Sequence, residues 1–190
     1  MNKKLFGMYL THLSPFLNSV FQAGIHGDVI EFGVYQGETL LSMAKACLIW
    51  NTCCHGVDSF QGLAEPGPQD WPGLDKGHYD VGGPDVLRTR IEALGLNNTY
   101  LHVGFVPAIL HELTGYQFCF AHVDLDHYQP TLDTLFFLLP RISSGGIIMV
   151  HDYIPNREGG AAEACREFCQ AEQINIEYYE PTNHAILRIF

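Results

Sequence analysis

Short apolar runs alternate with longer helical patterns along almost the whole chain, and this alternation restricts the fold more than any other feature. Two parallel strands need a long crossover connection between them, usually a helix, so the pattern is typical of an α/β fold with a parallel sheet. The predicted parallel strands cover residues 28–32, 53–57, 99–103, 118–123 and 146–150. The predicted helices cover residues 38–49, 84–94, 107–113, 128–139 and 161–171.

The end of the chain departs from this alternation. Residues 175–179 and 185–189 are both strand-like and leave no room for a helix between them, so they predict an antiparallel hairpin at the sheet edge. The whole pattern predicts a Rossmann-like, seven-stranded, mostly parallel sheet with helices on both faces. This fold differs from a symmetrical dinucleotide-binding domain of two similar halves. We expect the 190 residues to form one domain, 1–190, that starts with a helical segment at residues 1–26.

The composition argues against two classes of protein. The longest apolar runs are far shorter than the roughly 20 residues of a membrane-spanning helix, so we expect no membrane insertion. The formal net charge is -11 and Lys and Arg form no runs, which disfavours binding to a nucleic-acid backbone. The six cysteines show no metal-binding spacing, so we expect reduced thiols and a cytoplasmic protein.

Residues 60–83 are rich in glycine and proline and follow the second predicted strand. Ligands bind beyond the carboxyl ends of the strands in sheets of this kind, and long loops at such places are often functional. We therefore interpret this segment as a lid. The alternative is an unstructured insertion without a role.

The first strand runs into a glycine-bearing turn and then a helix, which predicts a cofactor site. Gly33 and Gly37 enclose Tyr35, so the spacing departs from the GxGxxG pattern that holds a dinucleotide pyrophosphate. The carboxylate of Glu31, at the strand end, is suited to the cationic amino group of an amino-acid-bearing cofactor. These features favour S-adenosylmethionine over NAD, with Thr39 at the start of the helix completing this side of the site.

The second predicted strand is followed directly by Asp58 and Ser59. A carboxylate in this place can accept hydrogen bonds from the hydroxyls of a ribose. We therefore assign Asp58 and Ser59 to the same cofactor site as Glu31.

The fourth and fifth predicted strands also end in polar residues. Asp124 and Asp126 follow one of them, and His151 and Asp152 follow the other. If the strands are neighbours, their ends lie about 5 Å apart, and Asp124 and Asp152 can reach one cation. A divalent cation lowers the pKa of an alcohol, and a nearby base then removes the proton. Asp124 is the first candidate for ligand and base, and His151, the one histidine of ten that we single out, is an alternative base.

Four strings in this chain resemble the macrocin O-methyltransferase family, which includes sugar O-methyltransferases acting on antibiotics. They are residues 29–39, 57–63, 124–128 and 150–153. The resemblance implies a class I methyltransferase fold, S-adenosylmethionine as the donor, and a magnesium-dependent transfer to a hydroxyl, often on a deoxysugar. It places Glu31 and Gly33 at the methionine part, Asp58 at the ribose, and Gly104 and Phe105 near the adenine. We also expect Asp124 to border the cofactor.

The resemblance also implies a metal site at the ends of the fourth and fifth strands. The family holds its metal with the aspartate that corresponds to Asp124 and with two successive aspartates, the first of which is His151 here and the second Asp152. This departure leaves three alternatives open. They are a mixed His/Asp site that accepts manganese or iron, a magnesium site in which Asp126 or water substitutes, and no metal at all.

Three other functions remain open from the sequence: an NAD(P)-dependent oxidoreductase, a metal-dependent hydrolase, and a catalytically inactive protein that binds S-adenosylmethionine. The acceptor, a small molecule with a hydroxyl group, is not identified by the residues. The segment before the first strand is shorter than in the resembled enzymes, where it helps to enclose the acceptor. A smaller acceptor, a different acceptor, and a pocket completed by a second copy in a homo-oligomer are therefore all open.

Overall fold

The computed structural model describes residues 3–190, and the side chains from residue 12 on, so the first two residues of the predicted segment 1–26 lie outside the described part. The helices are α1 (Lys3–Gln22), α2 (Glu38–Trp50), α3 (Asp85–Ala93), α4 (Tyr128–Leu138) and α5 (Gly160–Glu172). The strands are β1 (Asp28–Phe32), β2 (Cys54–Asp58), β3 (Thr99–Val103), β4 (Phe118–Val123), β5 (Ile142–Val150), β6 (Ile176–Tyr179) and β7 (His184–Arg188).

The seven strands form one sheet in the order β3-β2-β1-β4-β5-β7-β6. The first five strands are parallel, and β7 is antiparallel to both β5 and β6. The predicted fold class, a mostly parallel seven-stranded sheet with a C-terminal antiparallel hairpin, is confirmed. The direction of winding reverses between β1 and β4, and a crevice opens at this point in sheets of this type.

Alternating side chains of the strands enter two apolar layers, one on each face of the sheet. Ile30 and Phe32 pack with residues of α4 and α5, whereas Val29 and Phe120 pack with residues of α1 and α2. Successive strand residues point to opposite faces, which explains this division. Both faces are therefore covered by helices, and the interior strands carry long apolar runs.

Two elements differ from their predicted form. Residues 108–113 form a 3-10 helix rather than an α-helix, because only six residues separate the preceding turn from the next one and 3-10 geometry serves such short pieces. Strand β5 begins at Ile142, four residues before the predicted start at 146. Its first half contains a register shift and Gly145 with φ +86°, which interrupts the apolar pattern.

Within the described residues, no helix combines the length and the apolar character needed to cross a membrane. All six cysteines lie in this part of the chain and carry free thiols.

The turn after β1 lies so close to the end of β4 that only glycine fits at position 33. A Cβ atom on Gly33 would lie 1.8 Å from the carbonyl oxygen of Asp124, and the residue has φ +85°. We predict that Gly33→Ala lowers the free energy of unfolding by about 3 kcal/mol or more in urea denaturation. Gly95→Ala is the control, since Gly95 has φ +65° in open space, and it should cost only about 1 kcal/mol. Equal losses would show that the contact with Asp124 is unimportant.

Candidate active site

A cavity of about 420 Å³ opens at the carboxyl ends of the parallel strands, where the winding reverses. The residues that the sequence assigned to the cofactor, metal and catalytic sites all line it. They are Glu31, Gly33, Tyr35, Gly37, Thr39, Asp58, Ser59, Gly104, Phe105, Asp124, His151 and Asp152. The fold therefore brings the proposed cofactor site and the proposed metal site into one space.

Glu31 is a buried carboxylate at the base of the cavity, with 1% of its surface exposed. Its Oε1 atom lies 2.9 Å from Nδ1 of His122, whereas its Oε2 atom has no hydrogen-bond partner among the described residues. Burial raises the pKa of Glu31 to about 7, against the opposing effect of His122 and with further contributions from Asp124 and Asp58. A buried acceptor without a partner is costly, so this atom fits a cationic donor from a ligand.

The two glycines of the turn after β1 are required by neighbouring protein atoms. Gly33 meets the backbone of Asp124, and a Cβ atom on Gly37 would lie 2.3 Å from Cδ1 of Leu87 on α3. Both glycines also have φ +85°, a backbone conformation that glycine adopts readily, so the turn itself favours glycine at these positions. The glycines let the turn pack against β4 and α3, and the cavity follows from that packing.

Asp58 organises the loops around the cavity. Its carboxylate accepts hydrogen bonds from the backbone amides of Val34, Tyr35 and Phe60 at 2.8, 2.7 and 2.7 Å. A carboxylate offers about four acceptor positions, so these amides leave about one for a ribose hydroxyl. The hydroxyl of Ser59 is also engaged, because it donates to the carbonyl of Gly62 at 3.0 Å.

Asp124, His151 and Asp152 form a compact cluster at the ends of β4 and β5. One potential ligand atom from each lies within 4.8 Å of the other two, and Nδ1 of His151 lies 2.8 Å from Oδ1 of Asp124. Burial alone would lower the pKa of His151, but the nearby carboxylate of Asp124 outweighs it and raises this pKa to about 9. Burial alone would raise the pKa of Asp124, but His151 holds it well below its usual value.

Asp126 shares the cavity with this cluster and has φ +58°. Burial and the negative charges of Asp124 and Asp152 raise the pKa of Asp126 to about 8. The carboxyl groups of this region thus repel one another and favour the binding of positive charge.

Residues 60–83 contribute one wall of the cavity through Gly62, Leu63, Ala64 and Tyr79, which the sequence analysis did not assign. The ring of Tyr79 meets that of Tyr35 edge-on, with their centroids 5.6 Å apart. The contact of these two rings joins this wall to the turn after β1.

The choice of His151 as the one histidine with a chemical role was too narrow. His122 is buried in β4 and contacts Glu31, and His184 in β7 contacts His122. His122 precedes Asp124 by two residues and so points to the same face of the sheet, which is a signal that the sequence contains. It becomes informative only when β1 and β4 are known to be neighbours with Glu31 opposite His122.

Solved structures of methyltransferases share this fold. The O-methyltransferase NovP superimposes with a TM-score of 0.80 and 20% identity, over 96% of this chain and 79% of that chain. The calicheamicin methyltransferase CalS11 superimposes with a TM-score of 0.76 and 21% identity, over 90% of this chain and 76% of that chain. At identities this low, the structural likeness shows that the fold is shared and nothing more.

Two curated proteins are similar in sequence. The 8-demethyl-8-(2,3-dimethoxy-alpha-L-rhamnosyl)-tetracenomycin-C 4'-O-methyltransferase of Streptomyces olivaceus is 29% identical over 83% of this chain, which spans 62% of that protein. The mycinamicin III 3''-O-methyltransferase of Micromonospora griseorubida is 27% identical over 90% of this chain, which spans 71% of that protein. The family model for macrocin O-methyltransferase matches residues 6–180. The chain therefore belongs to the macrocin O-methyltransferase family.

Proposed function

We propose that this chain is an S-adenosylmethionine-dependent O-methyltransferase that acts on a hydroxyl of a sugar or natural product. The observation that carries the proposal is the buried Oε2 atom of Glu31, which has no partner among the described residues and belongs to a residue lining the cavity. A carboxylate in this position attracts the ammonium group of the cofactor and disfavours the phosphates of a dinucleotide. Family membership supports the same activity.

The remaining lining residues fit the other parts of the cofactor. Asp58 retains about one acceptor position for a ribose hydroxyl. Gly104 and Phe105 follow β3 and line the cavity, and the exposed aromatic ring of Phe105 is suited to contact with the adenine. The cavity volume of about 420 Å³ lies in the range of small-molecule sites.

The catalytic step requires that the acceptor hydroxyl lose its proton as its oxygen takes the methyl group. When bound, S-adenosylmethionine supplies a methyl group on a positively charged sulfur, which departs as a thioether with both electrons of the broken carbon–sulfur bond. Asp124, whose carboxylate is ionised, is the group at the cavity that can accept the proton. His151, with its pKa raised to about 9, already holds a proton at neutral pH unless a bound cation displaces it. The hydrogen bond between Asp124 and His151 fixes the orientation of the two side chains relative to each other.

We further propose that a divalent cation binds between Asp124, His151 and Asp152. Their ligand atoms are close enough to share one ion, and a cation there would lower the pKa of a bound hydroxyl. One imidazole nitrogen beside two carboxylates suits manganese or iron as well as magnesium. The crowding of negative charge around Asp126 favours this assignment.

The first test is ligand binding. We predict that S-adenosylhomocysteine at a hundred times its dissociation constant raises the melting temperature by about 5 to 10 °C, whereas NAD does not. Methyl transfer is then tested with isotopically labelled S-adenosylmethionine and two acceptors of the relatives, the demethylated rhamnosyl-tetracenomycin and mycinamicin III. A shift with NAD and none with S-adenosylhomocysteine would contradict the proposal. Binding without transfer to any sugar acceptor would indicate an inactive binding protein.

The second prediction concerns pH. A carboxyl group with a raised pKa is neutral below that pKa, so Glu31 attracts an ammonium group only as the pH rises through about 7. We expect calorimetry to show S-adenosylhomocysteine bound roughly fivefold to tenfold more tightly at pH 7.5 than at pH 6. Glu31→Gln should bind weakly at both pH values. A pH-independent affinity in the wild-type protein would contradict the role of Glu31.

The third prediction concerns the metal. We expect Mn²⁺ to bind about tenfold more tightly than Mg²⁺, because one ligand is an imidazole, and His151→Asp to reduce this preference. Asp124→Asn should weaken Mn²⁺ binding by more than about tenfold. The control is Asp133→Asn, which removes a carboxylate of α4 that does not line the cavity. Electron paramagnetic resonance of free Mn²⁺ measures the affinities, with Mg²⁺ as competitor. Full methyl transfer in excess EDTA would remove the cation from the mechanism.

A further inference from the structure

Buried polar side chains form a continuous chain that starts at Glu31 and leads away from the cavity. His122 Nδ1 lies 2.9 Å from Oε1 of Glu31, and His122 Nε2 lies 3.1 Å from Nε2 of His184. His184 Nδ1 lies 2.8 Å from the hydroxyl oxygen of Thr182. All four residues are buried. Buried polar networks stabilise a unique arrangement only when their members are satisfied, and here each histidine has a partner at both ring nitrogens.

The register of the sheet places these side chains on one face. Glu31 of β1 is opposite His122 of β4, His122 is opposite Met149 of β5, and Met149 is opposite Ile186 of β7. His184 lies two residues from Ile186 and therefore points to the same face. The chain of contacts thus crosses from the centre of the sheet to the C-terminal hairpin.

The two contacts of His122 leave its ring one orientation. A ring flip would break the contact with Glu31 and the contact with His184 at the same time. Since His122 engages Oε1, Oε2 is the oxygen of Glu31 that has no partner among the described residues, and Glu31 itself lines the cavity. His184, with Thr182 behind it, keeps the His122 ring in this orientation.

We infer that His122 and His184 are positioning residues that hold the carboxylate of Glu31 for the ammonium group of the methyl donor. The inference rests on the proposed function, and it concerns residues that the proposed mechanism does not use. Neither histidine lines the cavity, so both act through Glu31. The competing explanation is that the chain only stabilises the packing of β1, β4 and β7.

The test compares two ligands that differ in one group: S-adenosylhomocysteine and its analogue with hydrogen in place of the amino group. We expect His122→Leu to weaken the binding of S-adenosylhomocysteine by about tenfold or more, because Glu31 loses a charge-assisted hydrogen bond. The affinity for the analogue should fall by less than about twofold, since the analogue makes no ionic contact with Glu31. His122→Asn should restore most of the affinity, because the asparagine amide can donate from near the position of Nδ1.

Two further variants separate positioning from stability. Thr182→Val removes one hydroxyl at the far end of the chain and keeps the side-chain shape, so it tests the network even where His122→Leu fails to fold. Thr182→Val should weaken the binding of S-adenosylhomocysteine by about threefold and leave the binding of the analogue unchanged. The control is Met149→Leu, which alters the register neighbour of His122 on the same face and should change neither affinity.

Isothermal titration calorimetry on the full chain gives the affinities. A selective loss for the amino-bearing ligand in His122→Leu and Thr182→Val, with rescue in His122→Asn, supports the inference. Equal losses for both ligands, or no loss for either, overturn it. A wild-type protein that binds neither ligand overturns the proposed function itself, which is a different result.

Discussion

The close approach of the turn after β1 to the end of β4 determines where chemistry can occur in this protein. The amide of Asp124 donates to the carbonyl of Phe32 at 2.8 Å, and Gly33 leaves no room for a side chain between the two strands. The amide of His151 in turn donates to the carbonyl of Val123 at 2.9 Å. Glu31, Asp124 and His151 thus share one end of the sheet because the backbones of three strands are in register. The loops around the cavity complete a site that the strands have already placed.

The second constraint is the concentration of negative charge at this end of the sheet. Carboxyl groups from four strand ends line the cavity, namely Glu31, Asp58, Asp124, Asp126 and Asp152. The protein compensates for three of these five. Backbone amides surround Asp58, His122 supports Glu31, and His151 supports Asp124. What remains uncompensated attracts cations, and the ammonium, the sulfonium and the divalent ion of the proposed reaction are all positively charged.

The elements of the fold could be predicted because each depends on local pattern. The apolar runs of β1 and β4 and the glycine turn between β1 and α2 are visible without knowledge of their neighbours. The strand-end acids Glu31, Asp58 and Asp124 could also be assigned, because the ends of parallel strands meet at one edge. The partners of these acids could not. That Asp58 binds three backbone amides, and that His122 lies opposite Glu31, depends on strand order and register, which a single sequence does not specify.

The segment at residues 60–83 is a second case in which the sequence predicts an element but not its tertiary contacts. Its composition predicts a long irregular loop, but not its attachments. The indole of Trp71 donates to the carbonyl of Glu158 at 2.6 Å, and the guanidinium of Arg157 lies 3.6 Å from the centre of a Trp71 ring. Asp70 also accepts from the amide of Tyr128 at 2.6 Å.

These contacts tie the middle of the segment to the start of α4 and to the loop before α5. A lid movement of this segment would therefore have to release Trp71 from the loop after β5. His151 and Asp152 lie at the start of this same loop. Because Trp71 is held by the loop that follows the strand end with His151 and Asp152, any such movement would change the surroundings of this cluster.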